Sequence, residues 1–190
     1  MSVPKQFKVI IPVFMLFALA ILGNPILAFQ DEPVFQGKKL SEWEALLKVD
    51  PGYDKLSEAE KEKSVRSRRA GMIALELMAN SLDNRILPAM MLVLKNDPEE
   101  KLRETAALSM TRVALKMAEK SKSSSTRQYA AEALKEALEK DKSIRVKEIA
   151  ASSLGKIVPE SAPAIPAFIL AIKQKDTGLR VAAADALRRL

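Results

Sequence analysis

From residue 57 onward, apolar positions recur with helical spacing in segments separated by short polar breaks. Ser57-Glu58-Ala59-Glu60 has the form of a capping box, in which the Ser side chain accepts from the N3 amide and the Glu reaches back. It predicts a long helix to about Ala79. Ser41-Glu42-Trp43-Glu44 repeats the form and predicts a short helix to about Val49, stopped by Asp50-Pro51-Gly52. Residues 29 to 40, with Pro33 and Gly37, read as an extended leader. Asp83-Asn84 precedes an apolar segment from Arg85 to Lys95. Asp97-Pro98-Glu99-Glu100 offers an N-cap Asp, a Pro at N1 and two carboxylates at the positive end of the helix dipole. Ser125-Thr126-Arg127-Gln128 is a further box, and Asp141, Ser161 and Asp176 predict later caps. No stretch alternates with a two-residue period long enough for a strand, so the expected fold class is all-α.

Self-similarity sharpens this reading. The segment 102–113, LRETAALSMTRV, aligns without gaps with VKEIAASSLGKI (146–157) and LRVAAADALRRL (179–190). A weaker copy, SRRAGMIALELM (67–78), keeps Arg68, Met72, Leu75 and Met78 in register. The segments between also match: Ile86-Leu87-Pro88-Ala89 and Ala164-Ile165-Pro166-Ala167 each open an apolar helix, followed closely by Asp97 or Asp176. One unit is therefore a helix, a turn, a Pro-initiated helix and an Asp-bearing turn. Small pairs such as Ala106-Ala107 and Ala183-Ala184 let two antiparallel helices approach closely.

This pattern resembles HEAT repeats, particularly the short bacterial kind found in phycobilisome lyase subunits, over about residues 62 to 190. The resemblance implies an α-solenoid of antiparallel helix pairs, about three and a half HEAT-like repeats within a domain at 57–190. It also implies that Arg103, Lys147 and Arg180, with Asp97, Asp141 and Asp176, link adjacent repeats. Only Gly155 keeps the Gly of the family motif; Glu76, Thr111 and Arg188 stand there in the other copies. The second unit is longer, with a polar insert from Lys120 to Ser125. Gly37-Lys38-Lys39-Leu40-Ser41-Glu42-Trp43 looks like a leader placed ahead of such repeats in exported bacterial proteins. The C-terminal LRRL falls within what the repeat makes the first helix of a fourth unit. That leaves three readings of this end: a truncated product, a cap, or an open end that pairs with another chain.

The N-terminal segment has a different character. Lys5 and Lys8 precede a run without charge from Val9 to Leu22, then Gly23-Asn24-Pro25 and Ile26-Leu27-Ala28. That order predicts a signal peptide over residues 1–28, cleaved near Ala28, and export to the periplasm, envelope or exterior. An uncleaved membrane anchor is the alternative, and the only route by which the chain itself would be held in a membrane. No cysteine follows the run to carry a lipid. Residues 29–56 are then leader and short capping helix.

From residue 29 onward, 29 basic side chains face 24 acidic ones, well mixed along the chain. No nucleic-acid partner is expected, because such a domain gathers its positive charge on one face. The chain has no cysteine and no histidine, which removes disulfides, most transition-metal sites and most nucleophile–base pairs. Asp50 with Asp54, and Glu99 with Glu100, are explained by turns and caps. No cofactor and no catalysis are expected.

The candidates that remain are binding surfaces. Arg66, Arg68 and Arg69 are the densest basic cluster, a face for an anionic surface or polyanion, or a solvated face paired with Glu58, Glu60 and Glu62. The segments 86–95 and 164–172 are apolar all round, which predicts burial. The alternative is an exposed groove for a partner helix, with Met90, Met91 and Phe168 as soft contacts. The six methionines from Met72 to Met117 read as core filling. Trp43 is expected to plug the N-terminal end of the stack or, less simply, to anchor a ligand. The functional expectation is a non-catalytic protein-interaction scaffold. Polyanion or membrane-surface binding is the alternative, and a lyase or chaperone role the more remote one.

Overall fold

A computed structural model describes residues 32–190; the signal-peptide reading of residues 1–28 lies outside the described residues. Among the described residues eight α-helices dominate: α1 (Leu40–Ala45), α2 (Glu58–Leu77), α3 (Ile86–Asn96), α4 (Glu100–Ser121), α5 (Ser125–Lys140), α6 (Ile144–Leu154), α7 (Ile165–Ile172) and α8 (Thr177–Arg189). The all-α expectation therefore holds for the body of the chain. No helix among the described residues is long and apolar enough to cross a membrane.

The leader is the exception. Val34–Phe35 (β1) and Lys38–Lys39 (β2) pair antiparallel, Val34 opposite Lys39, across a two-residue turn. Gln36 and Gly37 both carry positive φ, as a two-residue hairpin turn with strand-matched twist requires. Two-residue strands are too short for alternation to announce them.

The hairpin leads straight into α1. The Leu40 amide donates to Pro33 O at 2.9 Å, and the Lys39 amide donates to the Glu42 carboxylate at 2.8 Å. Helix α1 thus begins at Leu40, ahead of the Ser41 box, because its first residue is already fully buried. Trp43 is buried too, its Nε1 donating to Phe35 O at 3.1 Å, with the Lys38 ammonium 4.9 Å from the ring centroid. Gly71 of α2 makes room for this end: a Cβ there would meet Trp43 O at 3.0 Å.

The other helix starts follow the sequence signals only in part. Ser57 caps α2 as expected, with Glu60 reaching back to its amide at 2.9 Å. Asp176 caps α8 through the Leu179 amide at 2.8 Å. Glu99, however, is the N-cap of α4, while Asp97 accepts from the Glu99 amide and faces inward. Ser143 rather than Asp141 caps α6. Ser125 lies inside α5, and Ser161 makes no cap bond. Asp97 and Asp141 instead accept from amides of the turn before their helix, and the side chains of Ser125 and Ser161 cap nothing.

Alternate helices pack on each other as well as on their sequence neighbours. Contacts run α2 to α4, α4 to α6 and α6 to α8, and likewise α3 to α5 and α5 to α7; α3 packs on α4, α5 on α6 and α7 on α8. Met72, Leu75, Met110, Leu154 and Phe168 are fully buried in one continuous core. Burying each such side chain contributes roughly 1.5–3 kcal/mol.

Candidate functional site

The most conspicuous polar feature is buried. Arg68 of α2 is completely covered, with Nε 2.8 Å from Asp97 Oδ2 and Nη2 3.4 Å from Oδ1. Its Nη1 donates to Ser64 Oγ, which in turn donates to the Asp50 carboxylate. Its guanidinium lies 4.8 Å from the Tyr53 ring centroid, and the Tyr53 hydroxyl donates to Glu99 at 2.8 Å. One unit on, Arg103 repeats the device: Nε and Nη2 hold the two Asp141 oxygens at 2.9 and 3.1 Å, while Nη1 donates to the carbonyls of Asp97 and Pro98. Burial pushes the Asp97 carboxyl above its ordinary range, against the opposing pull of its bond from the Glu99 amide and of Arg68.

This removes Arg68 from the basic cluster. Ser64, Arg68, Met72 and Leu75 share one helical face and all are buried, so Arg68 points into the core while Arg66 and Arg69 stay exposed. Arg66 sits 3.7 Å from Glu62, and Lys61 pairs with Glu58 at 3.0 Å. The face that remains is a solvated, mixed one. The linking role expected of Lys147 and Arg180 is not seen either: Lys147 Nζ turns back to Glu139 O at 3.2 Å. Arg180 donates to the carbonyls of Lys175 and Gln174.

The two apolar helices are neither wholly buried nor soft in the expected places. Met90 and Phe168 are fully buried, so neither is available to a partner. Met91 is half-covered, its sulfur accepting from the Tyr129 hydroxyl at 3.3 Å. What α3 does expose is Leu92, 58% accessible. It lies on the wall of a surface groove of about 810 Å³ between α1 and α3, with Ala45, Val49, Pro88 and Ala89 beside it. Glu44 and Arg85, 3.9 Å apart, line it as well, with Ser41, Lys48, Asn84 and Asn96. Sequence reasoning missed this groove because it named the residues of α3 that carry flexible side chains, whereas packing decides which of them face out.

Across the other flank of α2, Glu76 accepts from Arg112 Nε at 2.6 Å and from Ser109 Oγ at 2.6 Å, both on α4. Those bonds hold its carboxyl below the usual range. Among the described residues no cluster of carboxylates is placed to hold a metal ion. No protein-family model matches this chain, and no curated protein matches it.

Proposed function

We propose that the chain is an exported, non-catalytic α-solenoid of HEAT-like repeats that binds another protein. The α1–α3 groove carries this reading: it is open to solvent, and Ala45, Val49, Pro88, Ala89 and Leu92 give it a largely apolar lining among a few polar side chains, the profile of a surface that takes up an apolar segment. The recurrence of the Arg–Asp bridge between successive helix pairs supports the repeat architecture, and the segment from Lys5 to Ala28 supports export. A photo-crosslinking residue at Leu92 in the full chain, in cells that make it, tests the reading against electrostatic binding at Arg66 and Arg69. A discrete adduct from position 92, competed by unlabelled chain, is the expected result. Adducts confined to positions 66 and 69 and lost in high salt would replace it with polyanion or lipid binding.

A further inference from the structure

The four copies of the repeated segment begin on α2, α4, α6 and α8, and two of its positions face solvent in every copy. One position holds Ile73, Leu108, Ser152 and Asp185; the other holds Leu77, Arg112, Lys156 and Arg189. Both are polar in the last two copies, so the fold itself does not ask for apolar side chains there. Yet Ile73 and Leu77, both on α2, are 51% and 52% accessible, and Leu108 is 37% accessible. The same positions are exposed in the interior copies too, so the packing of one unit on the next does not cover them.

The charge of α2 departs from the pattern at the same place. Lys101 pairs with Glu104 at 2.9 Å on α4, and Arg145 with Glu148 at 2.8 Å on α6, one turn before Leu108 and Ser152. In α2 those two places hold Arg66 and Arg69, both exposed. Arg66 comes no nearer than 3.7 Å to Glu62, and Arg69 makes no ion pair among the described residues. From Arg66 to Leu77 the sole carboxylate is Glu76, which Arg112 and Ser109 hold. The mixed character of the α2 surface belongs to its first turns, Glu58 to Glu62. Beyond them Arg66, Arg69, Ala70, Ile73 and Leu77 fall at i, i+3, i+4, i+7 and i+11, one stripe that is cationic first and apolar after.

We propose that this face of α2 lies on an anionic lipid surface. Ile73 and Leu77 enter the boundary between headgroups and acyl chains, while Arg66 and Arg69 meet the lipid phosphates. Arginine suits the place, because its stem packs on the apolar layer and its guanidinium stays at headgroup level. A soluble polyanion would engage the two arginines but leave Ile73 and Leu77 in water. The inference uses the repeat alignment of the proposed function but not its groove, to which none of these residues belongs.

The chain has no cysteine, so a single environment-sensitive fluorophore can be placed at a chosen residue. The full chain is labelled at Ala70→Cys, inside the stripe, or at Ser152→Cys, the place of Ile73 in the third copy, and titrated with vesicles. Vesicles of phosphatidylglycerol mixed with phosphatidylcholine should shift the emission at position 70 to the blue, saturably, and leave position 152 unmoved. Phosphatidylcholine alone should move neither. Ile73→Ser with Leu77→Ser should raise the lipid needed for half the response about tenfold. Arg66→Gln and Arg69→Gln should each raise it several-fold and weaken its dependence on salt. All four side chains are exposed, so these variants fold as the parent does. Leu92→Glu should leave the lipid response unchanged, so the groove reading and this one fail separately. An equal response at positions 70 and 152, an equal response on neutral vesicles, or no response overturns the proposal. So does a salt-sensitive response indifferent to Ile73 and Leu77, which would leave a polyanion site at the arginines.

Discussion

The chain holds its successive helix pairs together in two different ways. At the α2–α4 and α4–α6 joints, a buried arginine fork spans to the aspartate of the next unit, Arg68 to Asp97 and Arg103 to Asp141. At the α6–α8 joint Lys147 takes the arginine's place and bonds Glu139 O, while Asp176 is exposed and serves only as a cap. That joint closes by contact instead: a Cβ on Gly155 would lie 3.0 Å from Ala186 Cα and 3.2 Å from its Cβ. Lysine is a point charge on a flexible stem and cannot hold two carboxylate oxygens and a carbonyl in one plane. The difference teaches that one repeat pattern tolerates either a polar rivet or close helix approach.

The sharpest way to break this comparison is to remove the aspartates one at a time. Asp97→Ala leaves Arg68 charged and sealed in the core, which costs about 3–5 kcal/mol. Asp176→Ala removes a cap alone, worth about 0.5–2 kcal/mol. Denaturant unfolding of the two variants measures the gap, and equal losses would mean the joints do not differ. Replacing both partners, Arg68→Met with Asp97→Leu, should recover most of the stability, since the cost lies in the orphaned charge.

The complementary break is Gly155→Ala. Alanine is the better helix former, but its methyl must displace the Ala186 backbone, and such overpacking costs about 1–3 kcal/mol. A net loss of that order, read as a lower unfolding midpoint, is expected; a gain would show that α8 can simply move away.

How much of this was legible beforehand depends on which signal dominated locally. The repeat alignment put Arg68 in register with Arg103, and its spacing to Met72 and Leu75 put it on the apolar face. The crowding of positive charge from Lys61 to Arg69 pointed the other way, and the fold followed the periodicity. In α3 and α7 the signal was absent, because a helix that is apolar all round has no moment to tell its faces apart. The groove beside Leu92 was therefore invisible, as was the hairpin at Gln36-Gly37. Helix starts slipped by a few residues for a tertiary reason: Leu40 and Asp97 are buried, and burial outweighs which polar residue makes the better cap.

Restoring the rivet sharpens the comparison from the other side. Asp97 and Asp141 each accept from an amide two residues on and from an arginine fork together, so Asp176 can do both as well. Lys147→Arg should raise stability, but by less than about 1 kcal/mol, because Asp176 lies in solvent. No gain, with unchanged helix content, would mean the third joint is too wide for the fork.

The smallest effect concerns acid. Glu76 occupies the repeat position of Gly155, so the first joint carries a titratable bridge where the third has a close approach. The Arg112 bonds lower its folded pKa, so the stability it adds is complete above its ordinary 4.5 and fades as pH falls through the folded value. Asp97 leans the opposite way: burial raises its folded pKa, so proton uptake there favours the folded chain as pH drops. Glu76→Gln should thus flatten the acid limb of a stability–pH profile, and Asp97→Asn should steepen it. The two carboxyls belong to the same joint, so slopes that change in the same direction would show that Arg68 governs Asp97 more strongly than desolvation does.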